Sequence, residues 1–163
     1  MELKKHLDFR KVFAILYSVI FAIYIIVGLQ PAEAANYKVD AKLEIPSIGL
    51  DSNVTALALE DHRLDTPDTI VGSYAGAKNK TLLIGHSTTV FSELNKMRVG
   101  DTIVYNGKTY RVISRIFKAK EEIRMTELLR EEKNDTLVLM TCAGELLEGS
   151  DATHRLIVTA ERD

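Results

Sequence analysis

The sequence predicts an all-β domain, either a barrel or a sandwich, because many short strand patterns and turn signals alternate with little helical periodicity. Apolar residues make up 46% of the 163 residues and charged residues 27%, which is typical of a folded globular protein. This length accommodates one domain of ordinary size plus a short appendage.

Seven segments have the composition of strands, being short, apolar or β-branched, and bounded by turn residues. Pro46 ends the first segment, and Asn106-Gly107 is a strong hairpin signal between the fourth and fifth. The last two are continuously apolar, as buried strands are. The seven segments are 41–45, 52–59, 81–84, 102–105, 109–117, 136–141 and 156–160.

Two segments favour helix. Residues 90–98 and 125–133 combine apolar positions at helical spacing with charged residues, and Thr126 is a candidate N-cap for the second. Both are short, so the domain remains predominantly β.

The N-terminal region predicts a membrane anchor. Residues 12–29 are an 18-residue run without charge, and as a helix they would span about 27 Å, close to the thickness of the hydrocarbon core. A cleaved secretory signal is the alternative, since residues 31–35 contain an A-x-A pattern. The length of the run favours a retained anchor.

Charge is distributed asymmetrically along the chain. Residues 1–29 carry a net +2, so the remainder carries −4, because the whole chain carries −2. Basic residues before an apolar run predict a cytoplasmic N-terminus, and the balance does not favour nucleic-acid binding. We therefore expect a cytoplasmic basic tail, a transmembrane signal-anchor, a linker and an exported domain at residues 1–11, 12–29, 30–40 and 41–163.

Cys142 is the chain's single cysteine, so no disulfide can form within the chain. It follows the apolar run 136–141, where a strand end would hold the thiol rigidly beside a cleft, as a nucleophile requires. Three interpretations remain open: a small buried hydrophobe, a site of pairing between molecules, or a nucleophile.

His86 is the histidine best placed to assist a thiol, because it also leaves an apolar run and enters a polar loop. Imidazole accepts and returns protons near neutral pH, which thiol chemistry needs. A loop histidine without a catalytic role is the alternative. The other histidines are weaker candidates, being on the predicted cytoplasmic side, in a charged loop and beside Arg155: His6, His62 and His154.

Arg155 opens the apolar run 156–160. Strand alternation places Arg155 and His154 on opposite faces, so only one of them points into a given cleft. A guanidinium stays charged and can stabilise an oxyanion, although a salt bridge at the surface would explain the same residue.

These residues together resemble the sortases. That family has a T-L-x-T-C motif, and residues 138–142 read V-L-M-T-C, so its first threonine is replaced by Val138. Gly85-His86 is similar to the family's glycine-histidine pair, and Arg155 to the arginine that follows the cysteine. Residues 45–50 and the segment after His86 are also sortase-like, and the resemblance covers roughly residues 41–161.

The resemblance implies a closed sortase-like β-barrel, with short helices, that acts as a cysteine transpeptidase. Cys142 would attack the sorting signal, typically of LPXTG type, of a secreted protein and form a thioester. His86 would transfer protons, Arg155 would hold the oxyanion or the substrate backbone, and Thr141 would help to shape the substrate pocket. The acceptor would be an amine of a cell-wall precursor or a pilin lysine.

The loop between residues 119 and 136 would set the preferred sorting signal, through Ile123, Met125 and Leu128. No cofactor is expected, since Cys142 has no second cysteine or histidine at ligand spacing. Weak calcium binding at the acidic pairs 60–61 and 131–132 is a second interpretation, and a solvated surface is the favoured one.

Three rival functions remain. An L,D-transpeptidase usually has Ser-His-Gly before its cysteine, whereas Met140-Thr141 precedes Cys142. A papain-like protease has its cysteine before its histidine, the reverse of the order found here. A membrane-tethered binding module with an inert thiol is the third.

Overall fold

The computed structural model describes residues 38–60, 63–64, 66–147 and 151–163, and eight of their strands close into a β-barrel. The predicted all-β class is therefore confirmed, and the barrel is selected over the sandwich. In chain order the strands are β1 (Ala41–Ile45), β2 (Leu50–Ala56), β3 (Leu59–Glu60), β4 (Arg63–Leu64), β5 (Val71–Ala75), β6 (Lys80–Ile84), β7 (Thr102–Tyr105), β8 (Lys108–Ala119), β9 (Thr136–Leu146) and β10 (Ala152–Arg162).

The barrel order is β1-β2-β5-β6-β9-β10-β8-β7, and β7 pairs with β1 to close it. Two neighbouring pairs are parallel, β2 with β5 and β6 with β9, and the other pairs are antiparallel. The short strands β3 and β4 form a separate two-stranded ribbon. The predicted hairpin at Asn106-Gly107 is confirmed, since both residues have the positive φ that this turn requires.

Strand β5 and the β3–β4 ribbon were not predicted. Strand β5 includes Gly72, and a glycine weakens the pattern by which a strand is predicted from sequence. In the structure a side chain at this position would collide with Leu57, because a Cβ would lie only 2.5 Å from it. The close approach of a neighbouring chain segment therefore explains the glycine. Strand β2 ends at Ala56 instead of residue 59, and Leu59 begins the ribbon strand β3.

The predicted helix over residues 90–98 is wrong. The structure has turns followed by a 3₁₀ helix at Leu94–Lys96, with backbone bonds between residues three apart. Phe91, Leu94 and Met97 are almost fully buried, and their spacing of three suits the 3₁₀ geometry. The sequence pattern thus marked a buried face but not the type of helix.

The predicted helix over residues 125–133 is also largely wrong, since the α-helix α1 covers only Met125–Leu128. Thr126 does not cap it; Arg124 is the N-cap residue and makes no side-chain cap bond. Beyond α1 the chain is held by the turn before β6, where the Asn79 side chain donates to the carbonyls of residues 132 and 133. These bonds compete with continued helix.

Alternation along β9 separates two apolar clusters. Leu137 and Leu139 belong to the barrel interior, whereas Val138 and Met140 belong to a smaller cluster on the outside of the wall. The outer cluster is covered by residues from the segment between β8 and β9, among them Leu128 and Leu129. These residues cover one side of a groove that runs along β9.

The predicted anchor at residues 12–29 and the linker at 30–40 lie outside the described residues, apart from positions 38–40. Within the described ranges, no helix is both long enough and apolar enough to cross a bilayer.

Tyr110 is buried in the barrel interior near Asp135. Burial raises the pKa of the Tyr110 phenol to about 12, and the Asp135 carboxylate adds to this effect. The phenol therefore stays protonated in the folded protein after it would have ionised in the unfolded chain.

We predict that Tyr110 contributes stability that is complete below about pH 10 and is lost as the pH rises toward about 12, because only the unfolded state releases the proton in that window. Urea unfolding should show that the wild type loses more stability than Tyr110→Phe between roughly pH 9 and pH 11. Equal losses in the two proteins would contradict the prediction.

Candidate active site

Cys142 lies within β9, not at its end as the sequence suggested, because β9 continues to Leu146. Its parallel neighbour β6 stops at Ile84, which pairs with Met140. Beyond it, the Gly85 amide still donates to the Met140 carbonyl, and His86, the next residue, lines the same cavity as Cys142. The thiol therefore faces the point where β6 leaves the barrel wall.

Thr141 hydrogen-bonds to the loop at the point where the chain leaves β6. Its side chain is buried, and Oγ1 donates a 2.7 Å hydrogen bond to the carbonyl of Gly85, the residue before His86. A Cβ on Gly85 would lie 2.6 Å from the Val90 side chain and 2.8 Å from Phe91, so the loop can fold back only over a glycine. The threonine and the glycine together set where His86 emerges.

Arg155 is the direct partner of Cys142 on the other side. The antiparallel register of β9 and β10 pairs these two residues, so their side chains leave the same face of the sheet. Strand β10 starts at Ala152, so Arg155 lies inside the strand and does not open it. As alternation predicts, the exposed His154 faces the opposite way, and its Nδ1 contacts Thr153 Oγ1 at 2.8 Å.

His86 is oriented by the loop before β5. Its side chain is 28% exposed, with Nε2 lying 3.2 Å from the Thr66 carbonyl oxygen and 3.6 Å from Asp68 Oδ1. A carbonyl only accepts, so the bond to Thr66 requires hydrogen on Nε2 and, in the neutral ring, leaves Nδ1 to accept a proton. Sequence patterns carried no signal for either loop residue.

A cavity of about 460 Å³ lies along the outer face of this wall, and Cys142, His86, Arg155 and Thr141 all line it. Its remaining walls are mainly apolar: Leu64, Tyr74, Ile84, Met125, Leu129 and Met140. Of the three loop residues expected to contact a substrate, Met125 lines this cavity, whereas Ile123 and Leu128 pack in the outer cluster. Leu129 takes a place in the cavity that the sequence had not indicated.

A second cavity, of about 270 Å³, reaches Cys142 from the opposite side. Residues after His86, including Phe91, Ser92 and Asn95, form one wall, and the β9–β10 hairpin forms another. Cys142 and Thr141 are the residues that line both cavities. The thiol thus stands where two clefts meet.

Arg155 is held by a carboxylate that the sequence did not single out. Its side chain is 15% exposed, and Nη2 donates to Asp151 Oδ1 at 2.6 Å. Hydrogen bonds from Lys120, from Arg155 and from the Ala152 amide hold the pKa of the Asp151 carboxyl far below its usual range. Asp151 is therefore an anion throughout the neutral pH range.

Among the described residues, no group of three or more histidine, cysteine, aspartate or glutamate side chains could hold a metal ion. Of the acidic pairs considered for calcium, Glu132 forms an ion pair with Lys80, and the side chains at positions 60–61 lie outside the described set.

The sortase-domain family model matches residues 43–163. The chain belongs to the sortase family. Membership implies a cysteine transpeptidase, and it disfavours the L,D-transpeptidase and papain-like interpretations. Among curated protein sequences, none matches this sortase.

Solved sortases have the same fold. Sortase C-1 from Actinomyces oris is 28% identical, with a TM-score of 0.59 over 81% of this chain and 76% of that one. The lid mutant of sortase A from Corynebacterium diphtheriae is 24% identical, with a TM-score of 0.61 over 81% and 74%. A Clostridium perfringens sortase D5 transpeptidase is 19% identical, with a TM-score of 0.60 over 77% and 79%. The likeness extends across several sortase types.

We predict that Thr141→Val lowers both stability and turnover of this sortase. The change keeps the shape but removes the buried bond to Gly85, at a cost of about 1–3 kcal/mol, and it loosens the exit that places His86. Denaturant unfolding and cleavage of a sorting peptide measure the two effects.

Thr136→Val is the matched control, because Thr136 is also buried on β9 and its Oγ1 donates to the Asn134 carbonyl at 2.9 Å, near the strand start. It should lower stability while leaving turnover unchanged. If both variants had the same turnover, the Thr141 bond would not position His86.

Proposed function

We propose that this sortase is a membrane-anchored extracellular transpeptidase that cleaves an LPXTG-type sorting signal and transfers the acyl group to an amine, anchoring surface proteins. The observation that carries the proposal is that His86, Cys142 and Arg155 line one cavity, with Cys142 and Arg155 paired directly across β9 and β10. A nucleophile, a proton carrier and a fixed cation side by side are what acyl transfer through a thioester requires.

In the proposed first step, the Cys142 thiol passes its proton to His86, and its sulfur attacks the carbonyl carbon of the signal's threonine. The resulting oxyanion is stabilised by the positively charged Arg155 guanidinium. The carbon–nitrogen bond then breaks, and His86 gives a proton to the departing amine. A thioester to Cys142 remains.

In the proposed second step, the acceptor amine attacks the thioester while His86 removes its proton. The carbon–sulfur bond breaks, a new amide forms, and His86 returns the proton to the departing sulfur, so the thiol is regenerated. An amine competes with water only if it is held in place, because positioning raises its effective concentration at the carbonyl. The second cavity at Cys142 gives the acceptor an approach that the bound signal does not occupy.

The larger cavity suits the proposed donor. Its walls are mainly apolar, which fits the leucine and proline side chains of such a signal, and Cys142 and Arg155 line it beside them. The acceptor would be an amine of a cell-wall precursor or a pilin lysine. Residues 12–29 would hold the enzyme in the membrane with its N-terminus in the cytoplasm and its barrel outside, where secreted substrates pass.

We predict that the full chain, incubated with a library of sorting peptides, gains the mass of the acyl fragment on Cys142. Cys142→Ala should form no such adduct while its unfolding transition stays close to that of the wild type, because the thiol is only partly buried. Mass spectrometry of the intact protein measures the adduct. Cleavage of a peptide by the alanine variant would show that another residue is the nucleophile.

We predict that His86→Ala reduces turnover by about 10²- to 10⁴-fold, the usual contribution of a general acid and base. His154→Ala is the matched control, since this histidine is exposed on the opposite face, and its turnover should stay near that of the wild type. Steady-state transpeptidation measures both. Equal activity in the two variants would remove His86 from the mechanism.

A further inference from the structure

Asp151 joins two cations at the edge of the cavity. Oδ1 accepts from Arg155 Nη2 at 2.6 Å and from the Ala152 amide at 2.9 Å, while Oδ2 pairs with Lys120. The Asp151 carbonyl also accepts from the Leu147 amide at 2.8 Å, so its backbone is held in the hairpin. The carboxylate is therefore fixed relative to the strands that carry Cys142 and Arg155.

Strand β10 supplies the other restraints on Arg155. The register of β10 against β9 shifts between Ala152 and His154. Arg155 Nη1 donates to the backbone carbonyls of both residues at 2.9 Å. With the bond to Asp151, the described residues engage three of the five guanidinium N–H groups. The side chain is thus held from one edge while it lines the cavity.

Lys120 keeps the net charge around Asp151 positive. Asp151 alone would neutralise Arg155, but the second cation leaves the group of three with a net charge of +1. Lys120 also begins the 3₁₀ turn Lys120–Glu122, which leads into the segment that covers the cavity. One carboxylate therefore restrains the arginine without removing the positive charge that an oxyanion needs.

We propose that Asp151 is a positioning residue for the transfer reaction, which holds the Arg155 guanidinium against the carbonyl that Cys142 attacks. This inference rests on the proposed function. It assigns Asp151 an effect that acts only through Arg155, so removing either residue should abolish the contribution of the other.

A double-mutant cycle on the full chain tests this. Asp151→Asn keeps the shape and the acceptor for the Ala152 amide but removes the charge, and it should lower kcat/KM for a sorting peptide by about tenfold, because a displaced guanidinium meets the oxyanion poorly. In an Arg155→Ala background, the same change should have no further effect. Asp151→Glu should restore part of the loss.

Asp135→Asn is the matched control. Asp135 is as exposed as Asp151 and also pairs with two cations, Lys108 and Arg162, but it lies seven residues before Cys142, about 23 Å along β9. Its kcat/KM should stay within about twofold of the wild type. Nitrogen NMR of the guanidinium adds a readout without substrate, since Asp151→Asn should free the Arg155 side chain to rotate.

Each outcome separates the two proposals. If Arg155→Ala is impaired while Asp151→Asn matches the wild type, the positioning role is overturned and the proposed function stands. If Arg155→Ala itself has wild-type activity, both the role of Arg155 and the inference fail. An Asp151→Asn effect that persists in the Arg155→Ala background would show that Asp151 acts elsewhere.

Discussion

The parallel pairing of β6 with β9 is the contact on which the candidate site depends. Because β9 continues beyond the end of β6, it exposes Cys142 at the point where the chain turns out of the barrel wall at Gly85. The bond from Thr141 Oγ1 to the Gly85 carbonyl holds that turn at a fixed height along β9. A shift of one residue in this register would send Cys142 to the barrel interior and separate it from His86.

The antiparallel β9–β10 pair completes the site on the other side of Cys142. It places Arg155 opposite Cys142, and the irregular start of β10 turns two backbone carbonyls and the Asp151 carboxylate toward the guanidinium. An arginine restrained in this way loses little conformational entropy when a substrate binds. This favours stabilisation of the negative charge that develops on the carbonyl oxygen during acyl transfer. The sheet thus supplies both the position of the residues and their electrostatic environment.

Strand patterns in the sequence were informative where the strands are apolar or end in turns with special backbone requirements. Strands β1 and β7 and the Asn106-Gly107 hairpin have the predicted bounds, because each depends on local composition. Strand β5 was not predicted because it contains Gly72. The need for a glycine there comes from the close approach of Leu57, a residue of another segment. The two helices were overestimated because tertiary hydrogen bonds and 3₁₀ turns replaced the local preference.

The sequence by itself determined the all-β class, the resemblance to sortases, and the residue types that such chemistry uses: Cys142, His86 and Arg155. The tertiary structure decided that these side chains share one cavity, that Thr141 bonds to Gly85, and that Asp151 holds the arginine. The physical reason is that composition and alternation are local properties of the chain. Which strand lies beside which, and in what register, is set by long-range hydrogen bonding and packing that no single segment contains.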